Sequence, residues 1–254
     1  MAEAVATEVT GGIAVITISR PEARNAVNGD VARGIAAAVE ACDASSDVRV
    51  LVLTGAGGTF CAGMDLKGFL AGDTPTVPGR GFAGITERPP VKPVIAAVEG
   101  YALAGGFEIV LSCDLVVASQ TAKFGLPEVR RGLVAGAGGL LRLANRIPYH
   151  LAMEMILTGE HFPASRLAEA GLVNRLVSAG QALEGARDLA AKVALGAPLS
   201  LAASKRVVVE SADWESGEAF ARQSEIISPV FGSADAIEGA VAFAEKRQPA
   251  WRGE

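Results

Sequence analysis

The chain has 254 residues, half of them hydrophobic, and a formal net charge of −5, so it suits one large domain or a domain with an appendage. Its basic residues are scattered and form no Lys/Arg run, which argues against a nucleic-acid surface. Three cysteines without a C-x-x-C pair and two histidines, His150 and His161, without ligand spacing lead us to expect no disulfide framework and no metal.

The N-terminal MAEAVATEVT has neither a basic n-region nor an apolar h-region, so no signal peptide is expected and a cytoplasmic setting fits. The β-branched run IAVITIS (13–19) predicts a strand. Asn28 can cap a helix reaching Ala44, because Val31, Ile35 and Val39 recur at helical spacing. VRVLVLT (48–54) predicts a second strand. Residues 72–90, rich in Gly, Pro and Thr, are expected to form a mobile surface loop. The apolar stretch 94–113 has the length of a membrane span, but Glu99, Gly100, Gly105, Gly106 and Glu108 interrupt it. A strand (VIAAV, 94–98), a turn and a helix explain it better, and no membrane partner is expected. DLVVAS (114–119) and LVNRLV (172–177) predict two further strands. Four helical segments follow at 181–195, 198–210, 214–228 and 233–247, either covering the sheet or meeting another subunit. Short apolar strands alternating with helices indicate an α/β fold with a largely buried sheet.

GAGG occurs twice, at 55–58 and 136–139. The first follows a strand, yet Phe60 stands where a dinucleotide fingerprint needs its third glycine. Neither a P-loop nor a G-x-S-x-G elbow is present. What remains is two glycine-rich turns, GAGGTFCAGMDLKGF and EGYALAGGFEI, each following a strand and each near a carboxylate. Free backbone N–H groups at such turns bind negative charge, and two that face each other form an oxyanion hole.

FCAGMDLK, KPVIAAVEGYALAGGFEIVLSCD, FGLPEVRRGLVAGAGG and AFAEKR, with PEARNAVN and ASRLAEAGLVNRLV, are together similar to the crotonase, or enoyl-CoA hydratase, family. Their order and spacing match from about residue 10 to the C-terminus. The ending DAIEGAVAFAEKRQPAWRG also resembles, more weakly, carnitinyl-CoA dehydratase-like members.

The resemblance implies a crotonase-like spiral of ββα turns over residues 1–180, binding acyl-CoA and carrying the catalysis, and a helical oligomerisation region over 181–254 that builds a homotrimer or a dimer of trimers. It implies that the N–H groups of Met64 and Gly105 form the oxyanion hole. Glu108 and Glu128 would hold a water between them, with Glu128 the principal base and acid. No separate cofactor is implied, since CoA is part of the substrate thioester. Ala23, Arg24, Ala62, Asp65, Leu66 and Lys246 are the implied CoA contacts, with Tyr101 and Gly136 in the same substrate-binding set. Taken alone, local sequence favours a solvent-facing first-turn acid at Glu108 and a surface partner of Arg130 or Arg131 at Glu128. Arg24 and Lys246 read equally well as solvated charges, and Cys61 as a small buried thiol. Two acids argue against a simple double-bond isomerase, and a non-catalytic acyl-CoA binder need not keep both. The chain departs from the family's usual residues at Glu99, Ala104 and Ala135.

Overall fold

The computed structural model describes residues 3–254. Val5–Thr10 (β1) and Ile13–Ile18 (β2) form an antiparallel hairpin. In β1 only Val5 is buried, as befits a sheet edge, whereas β2 is nearly all buried. Asn28 accepts the Val31 N–H at 3.0 Å and so caps Gly29–Ala44 (α1). The buried face of α1 carries Val31, Ile35 and Val39, as the spacing predicts. Val50–Gly55 (β3) then runs parallel to β2, and Leu66–Leu70 (α2) follows, capped by Asp65.

The stretch expected to be a mobile loop is instead built into the molecule. Thr76–Val77 (β4) and Gly81–Phe82 (β5) pair antiparallel, and Ala83, Ile85 and Thr86 are buried. Arg80 is buried too: its Nε donates to Gly84 O at 2.8 Å and its guanidinium reaches Glu40 at 3.3 Å. Here a glycine- and proline-rich composition marks turns that a buried guanidinium ties together.

Val94–Val98 (β6) leads through Tyr101–Leu103 (β7) into Gly105–Leu111 (α3), the strand, turn and helix expected of the longest apolar stretch. Leu115–Ser119 (β8) and Lys123–Gly125 (β9) repeat the pattern and end in a 3-10 turn, Pro127–Arg131. Gly139–Leu143 (α4), Tyr149–Thr158 (α5), Phe162–Pro163 (β10), Ala164–Glu169 (α6) and Arg175–Val177 (β11) complete the first two thirds. The main sheet has the order β1-β2-β3-β6-β8-β11 and is parallel from β2 onward.

Each turn of the chain adds a strand to this sheet, then a short segment to a second layer, then a helix. The second layer is built by the bridge Val27↔Met64, the bridge Cys61↔Ala102 and the pairing of β7 with β9, all parallel. That arrangement is a spiral of ββα turns.

Ala182–Val193 (α7) lies on the sheet's other face, where Ala186 and Ala190 meet Val52, Ile95, Ala97 and Val117. Glu99 accepts the Ala182 N–H at 2.9 Å, tying the start of α7 to the turn after β6. Pro198–Glu210 (α8) and Ala219–Phe231 (α9) contain no buried residue, and Ala234–Glu245 (α10) buries only Asp235 and Ala242. Trp251 is a packing residue: its Nε1 donates to Leu195 O at 2.7 Å and its ring lies over Gly239. Among the described residues no single helix is long and apolar enough to cross a membrane.

Candidate active site

A cavity of about 580 Å³ opens beside the second strand layer, the start of α3 and the β4–β5 ribbon. Met64, Gly105, Glu108 and Glu128 all border it, as do Arg24, Ala62, Leu66, Tyr101 and Gly136. The parallel bridge between Cys61 and Ala102 sets the register: Cys61 donates to Tyr101 O at 2.9 Å, and Leu103 donates to Cys61 O at 3.0 Å. Met64 and Gly105 each lie three residues beyond that bridge, on adjacent turns. Among the described residues neither N–H is given to another group of the protein. For Gly105 the reason is its place as the first residue of α3, where no earlier carbonyl can reach it.

Two close approaches require glycine here. A side chain at Gly106 would collide with Cys61 O, and one at Gly105 would come within 2.5 Å of the Phe82 ring. Phe82 also borders the cavity, so β5 supplies an apolar wall directly beside the Gly105 amide.

Both acids are buried, which rules out the solvent-facing readings. Glu108 is 3% exposed and Glu128 8%. Glu108 sits one turn into α3; its Oε1 accepts the Ala137 N–H at 2.7 Å and the Gly139 N–H at 2.9 Å. The second GAGG is therefore a cradle for a carboxylate, and a side chain at Gly139 would come within 3.0 Å of Glu108. Burial raises the Glu108 pKa, against the pull of those two amides and of the Arg142 charge. Glu128 lies on the 3-10 turn after Pro127 and has no cationic partner within salt-bridge reach among the described residues. Its Oε2 is buried and meets no hydrogen-bond partner among the described residues. Burial pushes its pKa to about 7, with the Glu108 charge adding to the rise and its own backbone amide and Arg131 opposing it. A buried acceptor without a protein partner is a candidate for contact with a ligand or water.

The remaining expected contacts divide. Arg24 occupies the left-handed position ending Pro21–Ala23, and its carbonyl accepts the Ala62 N–H at 3.1 Å. Ala23 and Asp65 do not border the cavity; Asp65 instead caps α2 and binds Arg20 at 2.9 Å. Lys246 ends α10 in a left-handed conformation, also away from the cavity. Cys61 is fully buried, and burial pushes its thiol to about 12, as suits a packing residue. His161 was not anticipated: it borders the cavity edge-on to Tyr101, with ring centroids 6.3 Å apart. Arg131 and Val134 were also missed as lining residues.

The family model described as enoyl-CoA hydratase/isomerase matches residues 8–254. The chain belongs to the enoyl-CoA hydratase/isomerase family. It is 42% identical over 249 residues to enoyl-CoA hydratase EchA19 of Mycobacterium tuberculosis, covering 95% of this chain and 94% of that protein. It is 38% identical over 261 residues to carnitinyl-CoA dehydratase of Proteus mirabilis, covering all of both chains. Among solved structures, an enoyl-CoA hydratase from Mycobacterium tuberculosis H37Rv superposes with a TM-score of 0.98 at 54% identity, covering 99% of this chain and 100% of that one. The ββα spiral is thus the crotonase fold.

Proposed function

We propose that the chain is an enoyl-CoA hydratase, a hydro-lyase that adds water syn across the 2,3 double bond of an enoyl-CoA thioester. The observation that carries this reading is the meeting of two buried carboxylates with two uncommitted main-chain amides in one cavity.

In this reading the thioester oxygen lies between the N–H groups of Met64 and Gly105. When water attacks C3, the double-bond electrons move through C2 toward that oxygen, and an enolate develops. A donor aimed at such an oxygen is worth about 2.7–4 kcal/mol in the transition state. Glu128, whose pKa of about 7 suits work in both directions near neutrality, takes the proton of the attacking water and returns a proton to C2. General acid–base catalysis of this kind contributes about 10²–10⁴-fold. Glu108, with one oxygen clamped by two amides, orients the water. CoA is part of the substrate, so no further cofactor is needed. Ala62 and Leu66 would meet it through the main chain and Arg24 through its charge, with Ala23 and Asp65 in flanking positions. Lys246 would serve the CoA of a neighbouring subunit. A trimer, alone or paired, would cover Phe220, Phe231 and Phe243, which are 81%, 77% and 88% exposed.

A second reading is a carnitinyl-CoA-type dehydratase, favoured by relatives of that name matched along their full length. The same acid pair would then remove water. The deciding experiment follows the absorbance of the conjugated thioester across enoyl-CoA chain lengths, with a carnitinyl-type substrate included. Efficient turnover of a short 2-enoyl-CoA supports the hydratase. Tight binding with no change in absorbance on any substrate overturns both readings and leaves an acyl-CoA binder.

A further inference from the structure

Five non-glycine residues among those described have a left-handed φ: Arg24, Asn25, Ala83, Ala104 and Lys246. Arg24 and Lys246, with ψ of 37° and 39°, lie in the left-handed basin that side chains tolerate. Ala104 does not. Its φ of 52° and ψ of −129° place it where glycine is normally required. The conformation is held from both sides: its N–H donates to Gly125 O at 2.9 Å, and its carbonyl accepts from Phe107 at 2.9 Å and Glu108 at 3.1 Å.

Glycine would relieve this strain, so the methyl needs a reason. Ala104 borders the cavity and immediately precedes Gly105. Gly63 immediately precedes Met64, and a side chain there would lie 2.9 Å from the Ala104 methyl, 3.0 Å from Leu103 O and 3.3 Å from Gly105 N. The methyl is therefore packed against the backbone carrying the other amide. We propose that Ala104 is a positioning residue whose methyl, wedged against Gly63, fixes the separation of the Met64 and Gly105 N–H groups that bind the thioester oxygen. This deepens the proposed function and rests on its oxyanion hole. The wedge acts on whatever enolate the site holds, so it is common to a hydratase and a dehydratase.

The test compares wild type, Ala104→Gly and Ala104→Ser. The probe is acetoacetyl-CoA, whose bound enolate absorbs in the near ultraviolet and needs no turnover to report on the hole. Ala104→Gly is expected to melt at a higher temperature yet to bind the enolate roughly tenfold more weakly, as loosened positioning of a donor pair implies. Ala104→Ser, which keeps the β-carbon, is expected to bind as wild type does. Wild-type enolate affinity in Ala104→Gly, a lower melting temperature in that variant, or equal weakening in both variants would overturn the proposal. Turnover of a short enoyl-CoA by wild type, measured alongside, judges the hydratase reading separately.

Discussion

Replacing Glu128 by glutamine should make the protein more stable and nearly inactive, and the gain should depend on pH. On folding the carboxyl rises from its ordinary 4.5 to about 7, chiefly through burial. Below pH 4.5 it is protonated in both states and contributes no difference. Between the two values the unfolded chain releases the proton while the folded one keeps it, so stability falls as pH rises. Above 7 the loss is complete. Each pH unit is worth about 1.36 kcal/mol, so the ionised carboxylate costs the fold about 3 kcal/mol at pH 8. Glutamine has the same shape and no charge. Urea unfolding at pH 4.5 and pH 8 should show Glu128→Gln close to wild type at the lower pH and about 2–3 kcal/mol more stable at the higher one. Hydration of a short enoyl-CoA should drop by about 10²–10⁴-fold. An equal stability difference at both pH values would refute the burial argument, and near-normal turnover would refute the assigned role.

Wild-type kcat/KM for hydration should fall as pH drops below about 7, because Glu128 must be ionised to accept the proton from water; a pH–rate profile that stays flat down to pH 5 contradicts this. Gly105→Ala should lose turnover by about 10²–10³-fold, and the double variant with Phe82→Ala should recover part of it, since the ring is what the new methyl meets. Asn25→Ala should destabilise the fold by about 2–4 kcal/mol, because the fully buried amide accepts from Arg20 and donates to Ala56 and Thr59; denaturant melts would measure it. Cys61 and Cys113, both held near 12 by burial, should resist thiol reagents until the chain unfolds, and rapid labelling of the native protein would count against their buried placement.

The central strands were legible because burial on both faces demands unbroken apolar runs, as in VIAAV at β6. β1 escaped notice because an edge strand exposes one face and carries polar residues. β7, β9 and β10 are two or three residues long, too short for any period to register, and exist only through pairing with distant chain. The ribbon at 76–82 was misread for a different reason: its order comes from Arg80 reaching backbone carbonyls and Glu40, which no local pattern reveals. The acids and glycine turns were legible as motifs. The amides that cradle Glu108 were not, since they come from residues about thirty positions away. Phe82, His161 and Arg131 join the cavity from separate stretches and carry no mark of it locally.

The bridge between Cys61 and Ala102 brings the Met64 and Gly105 amides onto adjacent turns. Both amides are peptide groups, which among substitutions only proline can delete, since every other residue supplies the same N–H. Other parts of the cavity lining are exchangeable side chains such as Phe82, Leu133 and Val134. On the proposed function, heredity can therefore retailor what the enzyme accepts without touching how it stabilises charge, and divergence between kindred enzymes should concentrate in those side chains.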